Sequence, residues 1–117
     1  MAVQLNHTIV WCRDKKKSAK FLQEILGLPK SARFGPFQVV TLSNGVSLDF
    51  YETEDEIASQ HYAFLIGDEE FDPIFGRIQE RGLEYWADPG KSHAGKLNHR
   101  DGGRSLYFED PNGHFLY

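Results

Sequence analysis

The feature that most constrains this chain is that its second half repeats its first. His7 opens an apolar, β-branched run, LNHTIVWC, and His61 opens another, HYAFLI. Each run leads into a helical pattern ending in Gly-Leu, at Gly27-Leu28 and Gly82-Leu83, and each half closes on a hairpin turning at Asn-Gly, at Asn44-Gly45 and Asn112-Gly113. Counting four residues on from each turn glycine makes Asp49 and Tyr117 equivalents. Internal repeats decide the architecture before any fold can be named. The expectation is an α+β fold of two βαβββ modules in one domain: module one over about 1–52, a polar linker over 53–60 and module two over about 61–117.

Local signals fill in the elements. Leu5–Cys12 reads as a strand, with Leu5, His7, Ile9 and Trp11 on one face. Asp14 is placed to cap a helix over about Lys15–Leu26, where Ala19, Leu22, Ile25 and Leu26 recur at helical spacing, Gly27 offers a left-handed cap and Pro29 forbids continuation. A short strand is expected around Ser31–Phe34, then strands over Phe37–Leu42 and Val46–Glu52 joined by an Asn-Gly hairpin. In the second half, strands are expected over His61–Ile66, Leu83–Ala87, Ser105–Glu109 and His114–Tyr117. Phe71, Ile74, Phe75 and Ile78 mark a helical face, and Pro73, acceptable in a first turn, puts the helix start between Asp68 and Asp72.

Composition narrows the function classes. With 17 acidic against 13 basic residues and a formal charge of −4, a phosphate-backbone partner is disfavoured, and the basic run Arg13, Lys15, Lys16, Lys17 reads as a solvated helix face. Hydrophobic residues at 40% and charged ones at 26% fit a globular domain. Cys12 is alone, which rules out an internal disulfide and makes a cytoplasmic protein the default expectation. Residues 1–7 lack the apolar core of a signal peptide, and no run approaches the roughly 20 apolar residues of a membrane span.

The repeat places chemistry. His7 and His61 occupy equivalent points, and Asp49 and Tyr117 close toward the same region of their respective halves. Imidazole and carboxylate are ligands that Zn, Ni, Mn and Fe accept, and two His with one carboxylate leave positions open for substrate. His7 by itself would more often be a hydrogen-bonded core residue, and Asp49 beside Ser47 and Tyr51 a solvated one. Equivalence within the repeat is what favours the metal reading.

These residues carry a family resemblance along the whole chain. The segments LNHTIV, SAKFLQEILGL, VSLDFYE and QHYAFLI, with the terminal YFEDPNGHFLY, resemble the vicinal oxygen chelate superfamily of glyoxalase I, bleomycin and fosfomycin resistance proteins and extradiol dioxygenases. The resemblance implies two βαβββ modules forming a half-closed, cup-shaped mixed sheet with helices outside, wrapped around a divalent ion, and often a homodimer whose clefts use both subunits. By position His7, Asp49 and His61 match three of the family's four metal-ligand places. The fourth, where the family has Glu, holds Tyr117, which would act on substrate or metal-bound water as a catalytic hydrogen-bonding group or simply complete the core. Glu109 is a weaker substitute, since it flanks a turn.

The stretch Trp86–Arg104 is long for a loop and reads as a cover for the cleft. In it Asn98, Arg100 and Arg104 suit a carboxylate or phenolate substrate, and His99 is a catalytic candidate. Trp86, Tyr107, Phe37 and Tyr51 are candidates for an aromatic wall. His93 reads as a solvated loop residue, His114 as packing or surface, and Cys12 as a buried small hydrophobe. The expected activity is that of a divalent-metal-dependent enzyme (Fe, Mn, Ni or Zn) of isomerase, lyase or ring-cleaving dioxygenase type, acting on vicinal oxygens of a small organic substrate. The rival is a non-catalytic binding protein of the bleomycin resistance type, with an empty metal site.

Overall fold

The chain runs β1 (His7–Cys12), α1 (Lys15–Leu26), β2 (Ala32–Phe34), β3 (Phe37–Thr41), β4 (Ser47–Glu52), then β5 (His61–Tyr62), α2 (Asp68–Glu80), β6 (Tyr85–Trp86), β7 (Tyr107–Glu109) and β8 (Phe115–Leu116). This is the order in a computed structural model that describes residues 3–88, 90–99 and 103–117. Two compact units result, Met1–Ile57 and Ala58–Tyr117. Each holds one βαβββ copy with a four-stranded mixed sheet, in the orders β1-β4-β3-β2 and β5-β8-β7-β6. The α+β architecture follows the repeat.

In the first unit β1 pairs in parallel with β4, and β4 with β3 and β3 with β2 are antiparallel. Alternation sends Val10, Cys12, Val40, Leu48 and Phe50 to the buried face, where Ala19, Leu22 and Ile25 of α1 are also buried. His7, Ile9 and Trp11 take the opposite, exposed face. His7 is therefore not a core histidine. Helix α1 has the expected bounds: Asp14 Oδ1 accepts from the Lys17 amide, and Gly27 closes the helix at φ 68°. An L side chain would be strained there, which is why glycine stands at that point.

Helix α2 begins at Asp68, so Pro73 falls in its second turn rather than its first. A proline there removes the amide that would reach Glu69 O. Burial of Phe71, Ile74 and Ile78 outweighs that one missing bond, and Asp68, Glu69 and Glu70 lie favourably at the positive end of the helix dipole. Strands β5, β6 and β8 are shorter than the apolar runs that encode them. The β5 edge continues as single bonds: Phe115 N–H donates to Gln60 O, Tyr117 N–H to Tyr62 O, and Phe64 N–H to Tyr117 O.

The Asp110-Pro-Asn-Gly-His114 ending is a structural lock. Asp110 Oδ1 accepts from the amides of Asn112 and His114 at 2.9 and 2.8 Å, while Gly113 turns the chain at φ 84°. This delivers His114, fully buried, to the core, where Nδ1 accepts from the Gln60 amide and the ring meets Tyr62 edge-on at 5.8 Å. Burial first, and the Asp110 carboxylate second, raise the Tyr62 phenol above its usual 10.0. Because the folded pKa lies above the unfolded one, the neutral phenol's contribution is complete below 10 and is lost as pH rises through the higher folded value. Stability measured by urea titration should therefore fall more steeply above about pH 10 in the native protein than in Tyr62→Phe.

Candidate functional site

The registers of the two units place their histidines identically. His7 pairs with Ser47 on β4, and His61 pairs with Phe115 on β8. Asp49 and Tyr117 each lie two residues further along, on the same face as the histidine of their unit. The equivalence read from the turn glycines is thus also an equivalence of strand register.

In the first unit the exposed sheet face resolves into three transverse rows. His7, Ser47 and Thr41 form one; Ile9, Asp49, Val39 and Ala32 the next; Trp11, Tyr51, Phe37 and Phe34 the last. A cleft of about 480 Å³ opens over this face, walled by Phe34, Phe37 and Val39 and reaching His7, Ser47 and Asp49. Asp49 is half-buried, and its Oδ1 accepts from Ser47 Oγ at 2.9 Å. His7 Nδ1 lies 2.7 Å from Asn6 Oδ1. Since that oxygen only accepts, the ring proton sits on Nδ1 and the Nε2 lone pair is left for another partner.

His61 is arranged alike. Its Nδ1 donates to Phe115 O at 3.0 Å, again leaving Nε2 as the acceptor nitrogen. A backbone carbonyl or side-chain oxygen on the far nitrogen is what orients and tautomerically fixes metal-binding imidazoles. His114 uses the opposite arrangement, its Nδ1 accepting from the Gln60 amide. Aromatic rings surround His61: Tyr107 at 6.0 Å, Tyr117 at 6.2 Å and Phe115 at 6.3 Å. Tyr117 packs edge-on against Tyr107 at 4.4 Å and shares a 3.0 Å hydrogen bond with Ser105 Oγ. Among the described residues no three His, Cys, Asp or Glu side chains gather at one point.

The long second-unit stretch is more engaged than its composition suggests. Asn98 is buried, donates to Ala87 O at 3.1 Å and exchanges backbone bonds with Ser105. Arg104 pairs with Asp72 at 2.7 Å and lies over Phe71 at 4.3 Å. Trp86 and Tyr107 are buried, with Lys91 Nζ 5.2 Å from the Trp86 ring centre. Glu109 is taken by Lys91 at 2.6 Å, and His93 by Asp88. His99 is exposed, and Arg100 lies outside the described residues. Asn98 and Arg104 thus each hold a protein partner. Sequence reasoning missed instead the row of Trp11, Tyr51, Phe37 and Phe34, of which it singled out only Phe37 and Tyr51; alternation alone could have found it once the strand register was known.

A βαβββ unit used twice, each copy carrying a histidine on its first strand with a free Nε2, defines the class of glyoxalase-type proteins. The chain belongs to the Glyoxalase/Bleomycin resistance protein/Dioxygenase superfamily, whose sequence profile matches residues 4–116. Two solved structures are similar over nearly its full length: Oxidase ChaP-H1, 57% identical with TM-score 0.96 over 98% of this chain and 93% of that one, and Oxidase ChaP-H2, 59% identical with TM-score 0.96 over 99% and 91%. Glutathione transferase FosA of Serratia marcescens is 33% identical over 122 residues, covering 99% of this chain and 79% of FosA. No helix among the described residues is long and apolar enough to cross a membrane.

Proposed function

We propose that the protein is a divalent-metal-dependent oxidase in which His7, Asp49 and His61 hold the ion and a small organic substrate binds through adjacent oxygens. The observation that carries this reading is the shared tautomer of the two histidines, each with Nδ1–H spent on a protein oxygen and Nε2 available. Asp49 adds a carboxylate whose Oδ2 is not used by Ser47. Two nitrogens and one carboxylate oxygen suit Fe, Mn, Ni or Zn and leave coordination positions for substrate. The binding free energy of the ion is also ordering free energy, so a centre assembled from separate ligands needs no preformed cluster.

When bound, such an ion supplies Lewis acidity and, if redox-active, a path for electrons from substrate to dioxygen. The chain's own residues set what can happen around it. Ser47 holds Asp49 in orientation, and Asn6 and Phe115 O hold the imidazoles. In this reading Tyr117 takes the position of the glyoxalase-type carboxylate, and its hydroxyl, shared with Ser105, is a hydrogen-bonding group and not a carboxylate base. This favours oxidation over the isomerase or lyase chemistry that needs a carboxylate to move a carbon-bound proton, and the likeness to two oxidases supports the same choice. A homodimer is part of the reading, as is a cytoplasmic setting. The test is elemental analysis of purified protein, followed by oxygen uptake after loading with Fe(II) in the presence of catecholic substrates. Metal near one equivalent per chain and substrate-dependent uptake are expected; a protein that takes up no ion from any of the four metals would be a non-catalytic binder.

A further inference from the structure

The repeat contains two Asn-Gly pairs at equivalent turns, and their surroundings differ. An asparagine followed by glycine is open to cyclisation, because no glycine side chain blocks the following amide nitrogen from reaching the side-chain carbonyl carbon. At the β3–β4 turn Ser43, Asn44 and Gly45 are all exposed, and Gly45, at φ 87°, has open space around its α-carbon. Asn44 Oδ1 accepts from the Val46 amide at 3.2 Å. That bond folds the Asn44 side chain back over its own main chain, across the Gly45 nitrogen, as in any Asx turn. At the β7–β8 turn Asn112 and Gly113 are half-buried. Asn112 donates to Asp110 through its amide, at 2.9 Å, and through its side-chain Nδ2, at 3.0 Å. Ser59 Oγ donates to Gly113 O at 2.8 Å.

We infer that Asn44 is a site of spontaneous covalent modification, converted through a cyclic imide with Gly45 to isoaspartate and aspartate, while Asn112 is protected. The Gly45 nitrogen gives its proton to hydroxide and bonds to Asn44 Cγ; the Cγ–Nδ2 bond breaks, and the nitrogen leaves as ammonia after taking a proton from water. Negative charge develops on Oδ1, where the Val46 N–H already donates, so the bond that shapes the turn also stabilises the attack. Water then opens the imide. Opening at the Asn44 main-chain carbonyl leaves isoaspartate, with one extra main-chain atom, and opening at Cγ leaves aspartate. The competing bond, from Gly45 N–H to Leu42 O at 3.0 Å, lies at an exposed tip where local opening costs little. At the second turn the leaving nitrogen is itself held by Asp110. The carboxylates of Asp110 and Glu109 lie close to Gly113 and disfavour loss of its amide proton. Isoaspartate at position 44 removes the bond to Val46, since Cγ becomes main chain. It also lengthens the connection into β4, the strand that carries Ser47 and Asp49.

Peptide mapping by mass spectrometry, with enzymatic methylation of isoaspartyl groups as a second readout, follows the native protein through incubation at mildly alkaline pH. Conversion at Asn44 is expected to run about twentyfold faster than at Asn112, because Asn112 must first break two bonds to Asp110, each worth roughly a factor of five. In urea both pairs lose their surroundings, and the two rates are expected to converge to within about twofold. Asn44→Ser keeps an acceptor for the Val46 amide and has no amide to lose, so it is expected to abolish the methylated product in the folded protein. In the isoaspartyl fraction the Leu42 and Val46 amides, which close the native turn, are expected to exchange their hydrogens about fivefold faster or more. Equal rates at the two pairs in the native protein overturn the proposal. So does a difference that persists in urea, which would make it a property of the neighbouring residues and not of the fold. Methylated product that survives in Asn44→Ser, or unchanged exchange in the isoaspartyl fraction, overturns it as well.

Discussion

Replacing His61 with alanine is expected to reduce metal content from near one equivalent to background and to lower oxygen uptake by more than about a hundredfold. Loss of an outer-shell partner already costs ten- to a hundredfold in affinity or activity, and loss of a ligand costs more. His7→Ala should behave alike, since the two residues have the same register and the same tautomer in their own units. His93→Ala is the control, because His93 has no place in the repeat and is paired with Asp88. If His61→Ala and His7→Ala retain stoichiometric metal, the assignment of the ligands is wrong. Metal content is the decisive readout, taken on variants whose circular dichroism is native, because both histidines are exposed but His61 also meets the rings of Tyr107, Phe115 and Tyr117.

The second large effect concerns stability. His114→Ala is expected to cost about 3 kcal/mol, the sum of a cavity left by a fully buried ring and of the Gln60 amide losing its acceptor. In a chain of this size that corresponds to a fall in Tm of roughly 10 °C. His114→Leu tests the division of that sum: it refills part of the volume and still strands the amide, so it should recover less than half of the loss. Thermal unfolding followed by circular dichroism measures both. Metal content per folded protein should be unchanged, since the buried ring belongs to the lock formed by Asp110 and Gly113 and not to the face that carries His61. If His114→Ala melted within about 2 °C of the native protein, the lock would be dispensable.

These two histidines show where sequence reading reached and where it stopped. A histidine at the head of a β-branched run is, by itself, a core residue as readily as a ligand. For His7 the question turned on which face of the first sheet is covered, and that depends on α1 packing against β3 and β4, on the face where Val40, Leu48 and Phe50 are buried. His114 read from the sequence as packing or surface, and its full burial was decided by the fold, because its ring accepts from the amide of Gln60, 54 residues away. The partners of Asn98 and Arg104 were not legible, because Ala87 O and Asp72 lie 11 and 32 residues away along the chain. The early end of β5 has a similar cause. HYAFLI has strand composition throughout, yet β8 offers only Phe115 and Leu116 as a ladder, and pairing partners limit strand length more than propensity does.

The sequence by itself determined the duplicated βαβββ order, the bounds of α1, the turns at Gly45 and Gly113, and the equivalence of His7 with His61 and of Asp49 with Tyr117. All of these rest on interactions within a few residues, namely caps, left-handed glycines and hydrophobic period, or on comparing the chain with itself. Tertiary structure alone decided which sheet face is exposed, which imidazole nitrogen is free, and that Trp11, Tyr51, Phe37 and Phe34 stand in one row although up to 40 residues separate them along the chain. The physical reason is that strand register is set by long-range hydrogen bonding between strands, and a slip of one residue would turn every one of those side chains to the opposite face.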